Sequence, residues 1–379
     1  MRVVLTGGGT GGHIYPALSV AEQLAADEVL YVGTAEGPEA TIVPKAGLTF
    51  RSVPSRKLSR RLTPGALLAA AVSGWGVVRA AGLLRAWKPD VVLGTGGYAS
   101  AAVMFAAAAL RIPTVVHEAN AVPGRVNRLL ARLCTRVAVT YGATAACFPA
   151  ARTVVTGLPV RTDVLSGDST EARARYGLAP DVPTLLVCGG SGGAQTLNRA
   201  VAEALPQLLG LPLQVVHQTG KAHLEAVLEA VGESRAGYHP VAYVDDMPGL
   251  LSAATLVVCR GGSSSLAEVT AVGLPAVVVP YPYAVGDHQT HNARALEEAG
   301  AVVLLKDAEC TGERLLREVS GLLRDPERLL AMRSASRGQG KPEAAKVVAD
   351  LLRTVARKPQ PSANYQTASR EREFEETRG

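Results

Sequence analysis

The residues best suited to chemistry lie between Leu256 and Gln289, where polar side chains follow apolar runs. The first run ends in Gly261-Gly262, and Ser263-Ser264-Ser265 follow, which predicts a strand, a glycine turn and a helix with serine N-cap hydroxyls. The N–H groups and positive dipole end of such a helix suit a diphosphate. Glu268 is about one turn further on, where a carboxylate can accept hydrogen bonds from two ribose hydroxyls. The stretch therefore favours a nucleotide site over an ordinary strand-to-helix turn with a buried glutamate.

A second apolar run, Ala276 to Pro280, ends in a loop with Asp287, His288 and Gln289. Because ligands of open parallel sheets bind at the carboxyl ends of the strands, we expect these groups to converge with the serines. His288 and His291 have i, i+3 spacing, but no third ligand accompanies them, so we expect no metal site here.

A further glycine loop opens the chain, where Arg2 to Leu5 predicts a strand and Gly7 to His13 a turn into a helix. The loop contains the dinucleotide pattern G-x-G-x-x-G, and Glu36 follows the next predicted strand. An oxidoreductase with Glu36 on a ribose is therefore one alternative. The loop lacks the Gly-Lys-Ser/Thr of a P-loop, and its extra glycines and His13 predict a wider turn than a cofactor needs.

Composition favours an α/β protein with anionic partners. The chain has 379 residues, 47% of them hydrophobic and only 4% aromatic, and its 39 glycines often follow apolar runs. Its net charge of +6 favours phosphate-bearing substrates or an anionic membrane surface. No basic stripe with interleaved aromatic residues occurs, so we expect no nucleic-acid partner.

The sequence suggests a reduced, unexported protein. Its five cysteines are scattered without a Cys-x-x-Cys pair, which predicts reduced core residues. The chain opens on a predicted strand without a signal-peptide pattern, and no run reaches about 18 uninterrupted apolar residues. We therefore expect it to be neither exported nor membrane-spanning.

Strand and helix patterns alternate along both halves of the chain, which predicts two doubly wound domains in series. Gly157 to Arg161 breaks the pattern and marks a hinge, so we predict domains at 1–158 and 159–341. A helix at 342–356 is expected to pack back on the first domain, and the polar tail 358–379 to be disordered. Among individual elements, we predict a strand at Val241 to Val244 and a helix from Gly312 to Ser336.

A basic cluster, Ser55 to Arg61, precedes an apolar helix predicted from Thr63-Pro64 to about Trp87. Basic residues beside an apolar helix that contains Trp75 are typical of an interfacial membrane contact. The alternative is a core helix that follows a solvated basic loop.

Six motifs in this order resemble the MurG family of bacterial glycosyltransferases, over residues 1 to about 356. They are Gly7 to His13, Thr95 to Tyr98, His117 to Asn120, Gly157 to Arg161, Gly189 to Ala194 and Cys259 to Gln289. The resemblance implies a GT-B fold, with two Rossmann-like domains facing across a cleft. It also implies an inverting transfer of N-acetylglucosamine from UDP to the 4-hydroxyl of lipid-linked muramoyl-pentapeptide (lipid I to lipid II) in peptidoglycan synthesis.

The resemblance also implies a set of donor-binding residues. In the first domain and at the hinge these are Thr10, Gly11, Gly12, Asn120 and Arg161. In the second domain Ser191 would lie on the diphosphate, Val244 would offer main-chain hydrogen bonds to uracil, and Gln289 would bind sugar hydroxyls. The residues that would wrap the nucleotide are Ser263, Ser264, Ser265, Leu266, Ala267 and Glu268. Gly192 and Gln195, in the glycine loop that begins at Gly189, and Gly261 depart from the usual family residues.

The chemistry expected of these residues needs no metal or other cofactor. Helix N-termini and hydroxyls can stabilise departing UDP, and no Asp-x-Asp occurs to hold a divalent ion. The incoming hydroxyl needs a base, for which His13 is the first candidate and Glu118 the second.

Two further alternatives remain open, a nucleotide-sugar epimerase or hydrolase of the same fold and a membrane-docked scaffold. The lipid acceptor implies an enzyme bound peripherally to the anionic cytoplasmic face of the cell membrane.

Overall fold

The computed structural model describes residues 1–56, 63–190, 192–232 and 236–356, with the side chain of Ala66 excepted. Several predictions fall outside these residues: most of the basic cluster (Lys57, Arg60 and Arg61), Ser191 and the tail 358–379.

The first sheet has seven parallel strands in the order β3-β2-β1-β4-β5-β6-β7. The strands are β1 (Arg2–Gly7), β2 (Glu28–Gly33), β3 (Thr49–Ser52), β4 (Val91–Gly96), β5 (Thr114–Glu118), β6 (Arg136–Val139) and β7 (Thr153–Val155). β1 and β4 are adjacent although five elements separate them in the chain, so their carboxyl ends bring two glycine loops together. β3 is the edge strand at one end of the sheet.

Helices cover both faces of this sheet. They are α1 (Gly11–Glu22), α2 (Glu39–Lys45), α3 (Pro64–Trp87), α4 (Gly97–Ala109), α5 (Arg125–Leu130) and α6 (Gly142–Ala145). α3, α4 and α5 bury apolar side chains on one face, and α1 and α2 do so on the other. Nearly continuous apolar strands with both faces covered are typical of a doubly wound domain.

The second sheet has six parallel strands in the order β10-β9-β8-β11-β12-β13. Its strands are β8 (Thr184–Cys188), β9 (Gln214–Gln218), β10 (Tyr238–Val241), β11 (Leu256–Cys259), β12 (Ala276–Val278) and β13 (Val302–Leu304). Its helices are α7 (Ser169–Tyr176), α8 (Gln195–Leu208), α9 (Leu224–Val231), α10 (Met247–Ala253), α11 (Ser263–Val272), α12 (His288–Glu298), α13 (Gly312–Leu323) and α14 (Pro326–Gln339). The chain therefore has two doubly wound α/β domains, as predicted.

The last described helix, α15 (Ala344–Val355), returns to the first domain. Val348, Ala349 and Leu352 are buried in the core that α1 forms with the first sheet. Arg353 donates to the carbonyl of Gln23 at 2.8 Å. The described chain therefore begins and ends on the same domain and crosses between the domains twice.

Two element predictions were wrong. The strand predicted at Val241 to Val244 is instead β10, which starts at Tyr238 because that residue pairs with Val215 and its ring is buried. The helix predicted from Gly312 to Ser336 is two helices, because the Asp325 carboxylate accepts the N–H of Arg328 at 2.9 Å and caps a new helix at Pro326.

α3 carries several exposed apolar side chains in the first domain. Its segment Leu67–Trp87 is long and apolar enough to cross a membrane by length and composition, although the sequence led us to expect no such span. Ala80 and Leu84 of this helix are nonetheless buried in the domain core. The exposed side chains on its other faces include Leu67, Leu68, Trp75 and Val78. The helix thus packs on its domain and presents apolar residues to solvent.

Candidate active site

The first two glycine loops pack backbone on backbone at the carboxyl ends of β1 and β4. The N–H of Gly8 donates to the carbonyl of Gly96 at 3.3 Å. A β-carbon at Gly97 would overlap the Gly8 carbonyl, and φ there is +82°, so only glycine fits without strain. This contact places the start of α1, with Thr10, Gly11, Gly12 and His13, beside the second loop.

His13 is held in one tautomer by the second loop. Its Nδ1 lies 3.1 Å from the carbonyl oxygen of Thr95, which can only accept, so the neutral ring carries its proton on Nδ1. Nε2 then keeps its lone pair and can accept a proton. Burial lowers the pKa of His13, and the Thr95 carbonyl offsets part of that effect. The predicted base is therefore unprotonated near neutral pH.

Glu118, the alternative base, is almost fully buried and surrounded by donors. Its Oε1 accepts the N–H of Asn120 at 3.0 Å. Its Oε2 accepts the N–H of Gly124 at 3.0 Å and the amide of Asn127 at 2.8 Å. Because both carboxylate oxygens already accept hydrogen bonds from the loop after β5, Glu118 holds that loop in place. The geometry therefore favours His13 over Glu118 as base.

Across the cleft, the N-terminus of α11 faces the first glycine loop. A β-carbon at Gly12 would lie 3.6 Å from the Ser264 hydroxyl oxygen. That hydroxyl is buried without a hydrogen-bond partner. Gly262 occupies the N-cap position and no side chain caps the helix, so the serines do not cap it as predicted. The first N–H groups of α11 and an unpaired hydroxyl are thus available to a ligand in the cleft.

The remaining predicted residues of α11 divide into two groups. The side chain of Leu266 is in the second-domain core, so it could reach a ligand only through its main chain. Ser265 and Ala267 are partly exposed, and so is Glu268. Burial raises the pKa of Glu268 to about 7, although Arg161 works against that shift. Hydroxyl groups that donate hydrogen bonds to Glu268 would stabilise its ionised form, which burial disfavours.

Arg161 joins the hinge to the first domain. Its guanidinium lies 5.7 Å from the centroid of the Tyr15 ring on α1 and 3.4 Å from a carboxylate oxygen of Asp163. The stacked cation thus stands over the cleft near Glu268, where an anionic ligand would pass.

Gln218 ties together the loops at the nucleotide end of the second domain. Its Nε2 donates to the carbonyl of Gly190 at 2.8 Å, and its Oε1 accepts the N–H of Val244 at 3.0 Å. Val244 lies in the loop after β10. Because its N–H is bound to Gln218, its main-chain carbonyl is the group left to contact a nucleobase. Of the main-chain groups of Val244 that the family resemblance would offer to uracil, the N–H is already used in this structure.

Asn292 of α12 crosses the cleft. Its Oδ1 accepts the N–H of Ala121 at 2.8 Å, and its Nδ2 donates to Asn120 Oδ1 at 3.2 Å and to the carbonyl of Gly261 at 3.1 Å. Gln289, one turn earlier, accepts the N–H of Tyr281 through Oε1 at 2.9 Å. That bond uses only the amide oxygen, so the amide nitrogen can serve as a donor to a ligand.

Sequence reasoning missed Tyr15, Gln218, Asn292 and Glu39, each of which orients a predicted site residue or its loop. Asn292 could have been found, because it lies one turn after Gln289 on the same helix. The partners of the other three come from distant parts of the chain, so no spacing rule reveals them. Within the described ranges, no group of three or more His, Cys, Asp or Glu residues is arranged to hold a metal ion.

Two doubly wound domains with glycine loops and a bare helix N-terminus facing one cleft define the GT-B class of fold. Residues 3–139 match the glycosyltransferase family 28 N-terminal domain, and residues 184–348 match the glycosyltransferase family 28 C-terminal domain.

Curated and solved relatives agree with this match. The chain is 44% identical over 370 residues to the UDP-N-acetylglucosamine--N-acetylmuramyl-(pentapeptide) pyrophosphoryl-undecaprenol N-acetylglucosamine transferase of Desulforudis audaxviator (94% of this chain, 99% of that protein). The crystal structure of Acinetobacter baumannii MurG has a TM-score of 0.76 at 30% identity and covers 93% of this chain and 99% of its own. The chain therefore belongs to glycosyltransferase family 28 and, within it, to the MurG family.

A more distant likeness shows the shared fold alone. The UDP-GlcNAc 2-epimerase of Neisseria meningitidis, solved with UDP-GlcNAc bound, has a TM-score of 0.68 at 14% identity, over 93% of this chain and 100% of that one.

Proposed function

We propose that this enzyme transfers N-acetylglucosamine from UDP-N-acetylglucosamine to the 4-hydroxyl of a muramoyl-pentapeptide carried on a lipid diphosphate. The observation that carries the proposal is the unpaired Ser264 hydroxyl against Gly12 at the uncapped start of α11. This point of the cleft offers N–H and O–H donors to a diphosphate. Family membership supplies the identity of the donor and acceptor.

The reaction follows as one displacement at the anomeric carbon. The acceptor oxygen forms a bond to C1 of the sugar as its proton passes to Nε2 of His13, and the C1–oxygen bond to UDP breaks. The bonding electrons leave with the UDP diphosphate, whose charge the α11 N-terminus and Arg161 stabilise. Attack from the face opposite to UDP inverts the anomeric centre.

The donor residues then have distinct roles. Glu268 would accept hydrogen bonds from the ribose hydroxyls, and the amide nitrogen of Gln289 would donate to the sugar. Asn120 is fixed for its donor contact by Asn292. Ser191 keeps its predicted place on the diphosphate as a proposal, since it lies outside the described residues.

We place the enzyme peripherally on the anionic cytoplasmic face of the cell membrane, with α3 as the docking surface. Leu67, Leu68, Trp75 and Val78 are all more than half exposed. Ser73 of this helix bonds the main chain of Arg56, and the neighbouring Ser55 hydroxyl donates to the carbonyl of Tyr98 at 2.9 Å in the second glycine loop. The apolar face is thus tied to the loop where a lipid diphosphate would enter.

The test is transfer to a soluble muramoyl-diphospholipid analogue with UDP-N-acetylglucosamine labelled in the sugar. We expect UDP release and disaccharide formation in equal amounts, both dependent on the acceptor, and a β-linked product by NMR. Donor turnover that ignores the acceptor would refute the proposal.

A UDP-sugar 2-epimerase is the second candidate, because the described fold resembles such an enzyme over 93% of the chain. Incubation with UDP-N-acetylglucosamine alone separates the two functions. An epimerase would yield the C2 epimer, or its elimination products, without any acceptor.

A further inference from the structure

Glu39 is a fully buried carboxylate behind the first glycine loop, and the proposed reaction gives it no role. It is the first residue of α2. Its Oε2 accepts the N–H of Gly9 at 3.0 Å, and its Oε1 accepts the N–H of Thr34 at 3.0 Å and the Thr34 hydroxyl at 2.6 Å. Burial alone would raise the pKa of Glu39, but these hydrogen bonds outweigh it and leave the pKa below its ordinary value. Glu39 is therefore an ionised group inside the domain.

The backbone segments around this carboxylate carry glycines, which leave space for it. β-Carbons added at Gly8, Gly33 or Gly37 would each overlap the side chain of Glu39. Three glycines, two in loops and one at the end of β2, therefore enclose one charged group. Desolvating a carboxylate is unfavourable, and an apolar residue would fill such a space without that penalty. The arrangement indicates a function for the charge itself.

The charge lies behind the loop that ends in His13. Gly9, which Glu39 holds, has φ of +82° and is four residues before His13 on the same turn. The charged and titratable groups that act on His13 are Glu39 from α2, which raises its pKa, and His288 from α12 across the cleft, which lowers it. His117 of β5 is also coupled to His13, and burial lowers the pKa of His117 to about 4, so it is neutral. Glu39 is thus the anion among these neighbours.

We propose that Glu39 is a positioning residue of the transfer reaction, which clamps Gly9 in the loop leading to His13 and stabilises the imidazolium that forms as His13 accepts the acceptor's proton. This rests on the proposed function, because the proton comes from the acceptor hydroxyl. Glu39 does not touch the reacting atoms. Its charge favours the protonated ring, and its hydrogen bond to Gly9 holds the loop that leads to His13.

Three variants separate the clamp from the charge. Glu39→Gln removes the charge and turns an amide N–H toward the Gly9 N–H. Glu39→Asp keeps the charge but withdraws it by one methylene. Thr34→Val removes one donor to Oε1 and leaves both the charge and the Gly9 bond.

The first readout is the pH dependence of kcat at saturating donor, measured on the full-length enzyme. For Glu39→Gln we expect kcat to fall about tenfold or more, within the range of general-base effects, and the acid limb to move to lower pH. For Glu39→Asp we expect a lower kcat with an acid limb close to wild type. A purely structural role would lower activity without moving the acid limb.

The second readout needs no activity. NMR titration of the His13 ring protons, assigned with His13→Ala, should show a lower His13 pKa in Glu39→Gln and an unchanged one in Thr34→Val. A folded Glu39→Gln with wild-type titration and acid limb would overturn the proposal. If Glu39→Gln does not fold, a wild-type kcat in Glu39→Asp would overturn it, with Thr34→Val as the control that should keep wild-type kcat. If the wild-type enzyme makes no disaccharide, the proposed function fails, whereas the titration still reports on Glu39.

Discussion

The amide of Asn292 donates to Oδ1 of Asn120 at 3.2 Å, so a side chain of the second domain holds a predicted donor-binding residue of the first. Asn292 is fully buried, and its other hydrogen bonds reach Ala121 and Gly261. The helix that would bind the donor sugar is thereby joined to the loop that Glu118 shapes. Asn292 therefore links the two halves of the cleft.

Asn292→Leu should weaken both the fold and donor binding. The substitution removes the hydrogen bonds of Asn292 to Asn120, Ala121 and Gly261. Leaving a buried polar group without its partner lowers the free energy of unfolding by about 1–3 kcal/mol. We expect a lower melting temperature and a higher KM for the donor. His291→Ala, on the exposed side of the same helix, is the control. Wild-type values of both quantities in Asn292→Leu would contradict the role of this residue.

UDP affinity should depend on pH through Glu268. Because the pKa of free Glu268 is about 7, the carboxylate is ionised at pH 8 and increasingly protonated below pH 7. Ribose hydroxyls donate best to the ionised form, so affinity should fall by up to about tenfold per pH unit on acidification until the pKa of the complex is reached.

Calorimetry from pH 5.5 to 8.5 measures this effect. Glu268→Gln should bind more weakly at pH 8, by roughly 1.5–3 kcal/mol, and should lose the pH dependence. Glu171→Gln, an exposed glutamate on α7, should behave as wild type. A UDP affinity that is independent of pH in the wild type would place the ribose elsewhere.

His13→Ala should lower turnover by about 10²–10⁴-fold and leave UDP affinity nearly unchanged. Because burial lowers the His13 pKa below 6.5, the wild-type acid limb should lie below pH 6.5. Steady-state rates with the soluble acceptor, together with calorimetry of UDP, measure both effects. His239→Ala, on the edge strand β10 of the second sheet, serves as control. Near-wild-type turnover in His13→Ala would remove His13 from the mechanism.

Transfer should persist in excess EDTA, because helix N–H groups, hydroxyls and Arg161 are expected to stabilise departing UDP in place of a metal ion. The measurement is the initial rate after exhaustive dialysis against EDTA, with and without added magnesium. Complete loss of activity that magnesium restores would show that the diphosphate needs a divalent ion.

Membrane binding should require both the apolar face of α3 and the basic cluster before it. Arg56, Lys57, Arg60 and Arg61 would each contribute about 1 kcal/mol at an anionic surface. Co-sedimentation should show binding to phosphatidylglycerol vesicles that weakens with salt.

Matched variants test this docking surface. Trp75→Ser and the pair Arg60→Glu with Arg61→Glu should each reduce binding, whereas Arg324→Glu with Arg328→Glu, near the start of α14 in the second domain, should not. Equal binding to neutral and anionic vesicles would show that the basic cluster is an ordinary solvated loop.

The sequence predicted most of the fold because apolar runs that end in glycines identify buried parallel strands without any tertiary information. Boundaries failed where a tertiary or capping contact decided them, as with the ring of Tyr238 and the carboxylate of Asp325. Serine N-caps were predicted for α11, but Gly262 takes that position and leaves Ser264 unpaired toward the cleft. The candidate site residues inside contiguous motifs were proposed from the chain alone, and their roles stay predictions. Those whose partners come from distant strands, such as Gln218 and Glu39, could not be found in that way.

The return of α15 to the first domain means that the two domains share two covalent connections. The connections lie side by side, because a β-carbon at Gly157 on the first would overlap the side chain of Lys341 on the second. Two neighbouring chain connections resist rotation of one domain against the other about the line that joins the two domains. They still permit the domains to bend toward each other. The cleft is therefore expected to open and close about a single axis through Gly157 and Lys341, so that His13 and Glu268 separate and return along the same path in each catalytic cycle.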